Sequence, residues 1–559
     1  MLVEERAESP FVALCRGERD ATRAVVLVGF QGQGNLGLGY LAATLAAQGY
    51  RVELVDFEEP AETVLATVRR VNPVLVGFSL IFQFYVLKFE ELARHLRVNG
   101  VDCHFTIGGH FPSLSPEETL ALMPQLDSVV RFEGELTLLE LVDLLSLGRD
   151  WRSIEGIVYP DRGQIVETPM RPLIGDLDEL PHPHRTVQTR SILGRTSAQL
   201  IASRGCARTC SFCSIHLFYR TAPGKVVRTR RPAEVAREMR MLYDERGATV
   251  LLFQDDDFPI FGPAWHRWTR QLLAEIDRQD LIGRVLWKIN CRADAVDPEL
   301  LAEMRDAGLY MVYMGLESGS DEGLRVLNKQ ITVEQNIRAV EILKELEILF
   351  DFGFMMLDPS STFESILENV AFLRQIVGDG SAAAEFCRMI PYDGTPIKDE
   401  LAREGRLRGD VCHPDYDFLD PRLETFYEEV TQTLQVTGWI HGLHALAPQL
   451  KFASAEFAII QRLMPTLPGL FEYEQALREI TAESNEVLFG VVEELVGVCR
   501  DGARASESRS SLTERSRVFV ERLIAERNAY MLSNQEDLLA VLEPDNRRVA
   551  AAASLAGSR

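Results

Sequence analysis

The sequence predicts an α/β chain in three parts: a doubly wound, Rossmann-like parallel sheet, then a partial (βα)6 barrel, then a C-terminal helical region. Three observations predict it. Apolar, β-branched runs alternate with helix-like stretches over the first 150 residues. A second alternation of the same kind runs from 198 to 400. From 401 to 559 the strand pattern gives way to amphipathic helical periodicity. The expected units are therefore 1–150, a connector at 151–197, 198–400 and 401–559.

The first unit opens on AVVLVGF (24–30), followed by a Gly-rich turn and the helix-like GLGYLAATLAAQG. RVELVDF (51–57), PVLVGFSL (73–80) and CHFTIGG (103–109) follow, each trailed by a helix, and DSVVRFEGE with a helix to Leu147 completes the set. Strands that are apolar throughout imply a parallel sheet covered on both faces. Ligands of such sheets bind beyond the strand carboxyl ends, here the loops at 31–37, 79–85, 108–114 and 132–137. PDRGQ and DELPHPHR mark the connector, where PHPH (181–184) reads as a turn.

The second unit yields six candidate strands: AQLIAS (198–203), TVLLFQ (249–254), VLWKINC (285–291), YMVYMGL (310–316), ILFDFGFMML (348–357) and AEFCRMI (384–390). Pro232 at a first helical turn and Gly247 after its end bracket one intervening helix. In such barrels the chemistry sits at the strand carboxyl ends. Beyond 400 no further strand is expected, only helices that cover the barrel mouth or shape a pocket, and the final RRVAAAASLAGSR is expected to fray. His441 and His444 in WIHGLHAL read as ordinary packing or solvent residues, lacking a carboxylate partner.

Composition narrows the function. A net charge of −24 argues against a nucleic-acid partner. The basic KVVRTRR (225–231) reads first as solvated surface, with an edge beside an anionic ligand as the alternative. No run of eighteen apolar residues suggests a membrane span, and the acidic start MLVEERAESP is no secretory signal. Nine cysteines, six of them scattered, form no disulfide framework, so a reducing cytoplasm is the natural location.

Three of those cysteines carry the argument. RGCARTCSFC (204–213) sets Cys206, Cys210 and Cys213 in a C-x3-C-x2-C spacing directly after the first barrel strand. A structural zinc site needs four ligands, and His216 could be the fourth. The other reading is a [4Fe–4S] cube held at three irons, leaving the fourth open.

This loop, with Phe212 before the third cysteine, resembles that of the radical S-adenosylmethionine (SAM) superfamily. The resemblance implies that the open iron chelates SAM, which is reductively cleaved to a 5′-deoxyadenosyl radical. Later strand ends extend it over residues 198–400. LLFQDDDF offers Asp255, Asp256 and Asp257, unranked, for the cofactor's ammonium group. NCRAD places Arg292 for its carboxylate, a guanidinium being suited to bidentate pairing. YMGLESGSD matches a family GxESG segment, implying that Glu317 and Ser318 contact SAM. FGFMMLDPSSTFE departs from the usual GxPGET, whereas IPYDGTP resembles the PxPGTP segment.

The first unit resembles the cobalamin-binding domain that precedes the barrel in one branch of that superfamily, through GLGYLAATLAAQGYRVELVDF, VGFSLIFQFY, TIGGHFPS and VVRFEGE. The resemblance implies cobalamin contacts at Gly108, Gly109, Ser79, Glu133 and Gly134, the glycines allowing close approach of the corrin. Phe132 stands where glycine is common. No D-x-H-x-x-G histidine is present to ligate cobalt, and Gln33, Asn35 or Phe82 could face it instead. A domain that only scaffolds the barrel is the alternative. Residues 1–197 hold only Cys15 and Cys103, so one cluster is expected.

Together these resemblances imply a cobalamin-dependent radical SAM methyltransferase. It would methylate an unactivated carbon, or phosphorus, of a small-molecule or peptide metabolite through methylcobalamin, with an external flavodoxin- or ferredoxin-type electron donor. The alternatives are a radical enzyme without methyl transfer (cyclisation, ring contraction or oxidation) and a zinc-bound scaffold or regulator.

Overall fold

The computed structural model describes residues 14, 18–32, 34–185, 191–440, 444–503 and 510–539. Gln33, His441 and the C-terminal RRVAAAASLAGSR lie outside them. Among the described residues no helix is long and apolar enough to cross a membrane.

The first sheet is built on β1 (Ala24–Gly29), whose six residues are all buried. Alternate side chains enter opposite layers. Val26 and Val28 join one apolar core, while Val25 and Leu27 join the other. With β2 (Arg51–Asp56), β3 (Leu75–Ser79), β4 (His104–Gly108) and β5 (Ser128–Val130), β1 forms a parallel sheet of order β2-β1-β3-β4-β5. The order reverses between β1 and β3, which opens a crevice above their carboxyl ends. The stretch read as a connector contributes more than a link. Its β6 (Ile157–Asp161) and β7 (Gln164–Glu167) extend this sheet antiparallel from β5.

In the second unit β8 (Ser191–Ile192) and β9 (Arg195–Leu200) form an antiparallel edge. A two-stranded hairpin follows, β10 (Ser203–Arg204) with β11 (Arg228–Thr229), and brackets the cysteine loop. β12 (Ala248–Phe253), β13 (Leu286–Arg292), β14 (Leu309–Glu317) and β15 (Leu349–Phe354) then run parallel to β9 in chain order. The sixth expected strand is reduced to a single parallel bridge between Leu357 and Arg388. The segment is drawn outward instead. The Ala384 N–H donates to Asn485 Oδ1 (2.9 Å), and Arg388 pairs with Asp415 (2.9 Å) and Glu424 (3.4 Å).

Strands do not stop at 400: β16 (Leu407–Gly409) and β17 (Pro414–Tyr416) form a short hairpin. Helices then span Arg422–Val436, Leu446–Leu463, Leu470–Arg500 and Ser510–Ser533. The second packs Ala458 and Ile459 on Val250, Leu286 and Tyr310, so it closes the amino-terminal end of the barrel rather than its mouth.

The basic stretch at 225–231 is another departure from expectation. Arg228 and Arg230 are 2% and 4% exposed. Each is buried in ion pairs, Arg228 with Glu133 and Arg230 with Glu238 and Asp178, so the solvated-surface reading fails for these two and holds for exposed Lys225 and Arg231.

Gly109 sits at φ +121°, and a Cβ there would lie 2.0 Å from the Leu80 carbonyl oxygen. The protein's own backbone demands glycine at this turn, whatever ligand approaches. Gly109→Ala should destabilise the first unit by more than about 2 kcal/mol. Faster amide exchange confined to the first sheet would show it, and unchanged exchange would contradict it.

Candidate functional site

The cysteine loop leaves β9 and is clamped from two sides. The Ser211 N–H donates to the Leu327 carbonyl (3.0 Å), its hydroxyl donates to Val326 O (2.8 Å), and its own carbonyl accepts from Ile397 N–H (3.1 Å). IPYDGTP therefore reaches the loop through its helical continuation at Ile397. Cys210 is buried, and Cys206 and Cys213 are partly so. Burial, with Asp257 adding to it, pushes the Cys206 thiol up to about 12, and burial pushes Cys213 up to about 11. Metal assembly here must displace protons from thiols that hold them strongly. Among the described residues no three His, Cys, Asp or Glu side chains gather closely enough to hold one ion. His216 is buried with its Nδ1 unpartnered. Three thiols on one loop with no fourth residue closing on them suit a cube bound at three corners. Phe212 packs, partly buried, against the barrel core.

The acidic triplet after β12 divides into three roles. Both Asp255 carboxylate oxygens accept from Ala202 N–H (3.2 and 3.1 Å), and Oδ1 accepts from the Ser203 hydroxyl (2.6 Å). That carboxylate stitches two strand ends together, and burial raises it to about 7. Asp256 Oδ2 accepts from Gly205 N–H at 3.0 Å, next to Cys206. Asp257 differs: its Oδ1 is buried with no partner, and its contact with Arg208 Nε is long, 4.0 Å. Asp257 thus keeps a buried acceptor to offer a ligand, and Asp256, exposed on a cavity wall, is open to one as well.

Arg292 is committed to the protein. Its Nε donates to Asp294 (3.0 Å), Nη2 to the Lys329 carbonyl and Nη1 to the Cys210 sulfur at 3.5 Å. Its charge therefore acts on the sulfur. Glu317 adopts a left-handed φ of +66° and accepts from Lys329 Nζ at 2.8 Å. Ser318 is fully buried, its hydroxyl accepting from Ser320 N–H (3.2 Å), so it shapes the turn. The departure LDPSST closes on itself through Ser360 N–H to Asp358 Oδ1 (2.7 Å) and Asp358 N–H to Ser361 Oγ (2.9 Å).

Over the β1/β3 crevice lies a cavity of about 300 Å³ walled by both units. The first unit contributes Asn35, Ser79, Gly108, Gly109 and Gly134, and the barrel side contributes Arg204 and Asp256. Asn35 caps the helix Leu36–Ala47 by accepting from Leu38 N–H (2.9 Å), which leaves its buried Nδ2 without a partner. An orphan amide donor on this cavity wall fits a flat macrocycle carrying amide side chains. Phe82 does not line this cavity. It lies, 43% exposed, on a neighbouring one.

One pairing is not legible in the sequence. Glu133, on the cavity wall, accepts from Arg204 Nη1 (3.1 Å), Arg228 Nη1 (2.7 Å) and Ile174 N–H (2.9 Å), while Glu135 accepts from Arg204 Nη2 (2.6 Å). This clasp ties the carboxyl edge of the first sheet to the hairpin that brackets the cysteines. Burial alone would raise the Glu133 carboxyl, but Arg204 and Arg228 outweigh it and hold it below its ordinary value. The sequence offers Glu133 as a cobalamin contact and Arg228 as solvated surface, so neither motif reveals the pair.

The B12 binding domain model matches residues 23–142, and the Radical SAM superfamily model matches residues 200–373. The chain is 29% identical over 406 residues to an uncharacterized methyltransferase of Pyrococcus horikoshii, covering 70% of this chain and 84% of that protein. It is 30% identical over 380 residues to the anaerobic magnesium-protoporphyrin IX monomethyl ester cyclase of Rubrivivax gelatinosus, covering 65% of each. Among solved structures, the cobalamin-dependent S-adenosylmethionine radical enzyme OxsB with aqua-cobalamin bound superposes with a TM-score of 0.62 at 18% identity. That match covers 94% of this chain and 84% of OxsB.

Two outcomes follow from the geometry. Arg292→Gln should lower the potential of any cluster on these cysteines by about 60 mV, because a lost charge-assisted hydrogen bond of about 1.4 kcal/mol no longer favours the more negative, reduced state. A redox titration followed by electron paramagnetic resonance reads this, and an unchanged midpoint would remove Arg292 from that role. Glu133→Gln should cost about 3–5 kcal/mol by stranding buried guanidinium charge, seen as faster amide exchange in the 203–230 hairpin. In the unmodified protein the clasp's contribution should be full above the ordinary carboxylate range of about pH 4.3 and fade as pH falls through the depressed Glu133 value. An acid transition unaltered by Glu133→Gln would contradict this.

Proposed function

The chain is a radical SAM enzyme with a B12-binding domain, its cofactors a [4Fe–4S] cluster, SAM and cobalamin, and on that premise we propose that it transfers a methyl group to an unactivated carbon, less readily phosphorus, of a small-molecule or peptide metabolite. The family match displaces the zinc-scaffold reading. The observation that carries the proposal is the shared wall between the two sites. Asp256 lines the cavity over the β1/β3 crevice and also accepts the Gly205 N–H beside Cys206. A group held in that cavity therefore sits within a residue or two of the cysteine loop.

When bound, the cluster supplies the electron that cleaves SAM, and cobalamin carries the methyl group. The chain's residues do the placing. Cys206, Cys210 and Cys213 fix three corners and leave the fourth open. Asp257 Oδ1 accepts the SAM ammonium, and the Glu317–Lys329 pair borders the same strand ends. Arg292 steadies the Cys210 sulfur. Asn35 donates its free amide to the corrin periphery, with Ser79, Gly108, Gly109 and Gly134 shaping the rim. Electrons come from an external flavodoxin- or ferredoxin-type donor. Similarity to a cyclase favours one alternative, radical chemistry without methyl transfer.

Asp257→Asn should weaken SAM binding about 10- to 100-fold, the loss of a charge-assisted contact of 1.5–3 kcal/mol, with cluster absorbance unchanged. Equal affinity would reassign the ammonium site. For the reaction itself, methyl-labelled SAM given to the reconstituted enzyme with a confirmed substrate should yield labelled product together with 5′-deoxyadenosine. Deoxyadenosine without methylated product would overturn methyl transfer in favour of the alternative.

A further inference from the structure

A second cavity, of about 320 Å³, adjoins the first. Ile81 and His110 belong to the walls of both, and Ser214 and Ile215, directly after Cys213, close another side. It therefore borders the cobalamin cavity and the cysteine loop together. Its apolar wall is Ile81, Phe82, Phe111, Leu114 and Ile215. Phe82 stacks one face on Phe84 (centroids 5.4 Å apart, planes at 9°), so its other face is the one that can meet a ring.

Its polar groups are few and mostly committed. Gln83 Nε2 donates to Asp393 Oδ2 and to the Val411 carbonyl (2.7 Å each), and Asp393 N–H donates to Gln83 Oε1 (3.0 Å). Lys398 neutralises Asp393 through an ion pair. His110 stacks on Phe218 (centroids 4.7 Å apart) with its Nδ1 3.5 Å from the Ser214 hydroxyl, and burial keeps it neutral by pushing it down to about 4. Among the described residues no arginine or lysine lines the space. A phosphoryl dianion placed here would lose its water and meet no counter-charge, a prohibitive exchange. An apolar ring gains burial and a stacking face, with the Tyr392 phenol and Ser214 hydroxyl within the wall for one polar substituent.

We propose that this cavity is the substrate pocket and that it selects an uncharged, ring-bearing, largely apolar molecule over phosphorylated ones. The cavity's role rests on the functional reading above, whereas the chemical class rests on its lining.

The test pairs 1-naphthol with 1-naphthyl phosphate, which share a ring and differ in charge, in anaerobic equilibrium dialysis against enzyme loaded with cluster and cobalamin. Naphthol should bind at least tenfold tighter. Leu114→Trp, which fills the cavity, should weaken naphthol at least tenfold with cluster absorbance and corrin retention unchanged. Phe82→Arg, at the half-exposed rim, should weaken naphthol and strengthen the phosphate ester. It decides alone if the tryptophan variant does not hold its cofactors. Equal or tighter binding of the ester to the unmodified enzyme, or naphthol binding indifferent to Phe82→Arg, would overturn the proposal. Failure of the unmodified enzyme to retain corrin would instead count against the functional reading, so the two failures are distinct.

Discussion

Everything at the site depends on one buried ionic junction, Glu133 held between Arg204 and Arg228. Its members come from the carboxyl edge of the first sheet and from the hairpin on either side of the cysteine loop. Charges taken this far from water are costly unless paired and hydrogen-bonded, so the geometry is enforced by the penalty for leaving it. The pairing is nearly saturated on the acid: Glu133 receives two guanidinium groups and a backbone N–H. Neither unit can shift along the other without stranding a charge. That is a registration device, and registration is what two cofactors acting on one substrate require.

With the units registered, the strand ends separate tasks by direction rather than by residue type. Asp255, Asp256 and Asp257 are chemically identical neighbours. Asp255 turns back to the first barrel strand, Asp256 faces the cavity and the Gly205 amide, and Asp257 lies toward Arg208 with one oxygen spare. Burial raises Asp255 and Asp257 above the ordinary range, so both depend on their few donors to stay ionised. Arg292 likewise spends its donors on Asp294, Lys329 and Cys210, which makes it a support for the sulfur.

What the sequence revealed follows from how far each signal reaches along the chain. β1 is legible because six consecutive buried residues can only be apolar. The cysteine loop is legible because its chemistry is packed into eight positions. The Glu133 clasp is not, because Arg228 finds its partner 95 residues away, and a basic run looks solvated until that partner is known. The sixth strand was misjudged for a similar reason. Its residues have strand character, but Asn485 and the β17 region capture their donors. Gly109 was assigned to ligand approach, whereas the Leu80 carbonyl already forbids a side chain there. The three aspartates could not be ranked, since only three-dimensional bonding separates them.

Phe132 shows how the two cavities are joined. It takes a left-handed φ of +60°, a conformation that costs an aromatic residue roughly 1–2 kcal/mol. Glycine would avoid that cost but would supply no ring. The ring meets Phe218 edge-on at 5.3 Å, and Phe218 in turn stacks on His110. The Phe132–Phe218 contact contributes about 0.5–1.5 kcal/mol, comparable to the strain. A further hydrogen bond, Phe132 N–H to Ser113 Oγ at 2.7 Å, fixes the turn. The outcome is a rigid column from the first cavity, through the helix that follows Cys213, to the wall of the second. Phe132 therefore stands where glycine would be easier because the wall between the two cavities needs a side chain more than the turn needs relief.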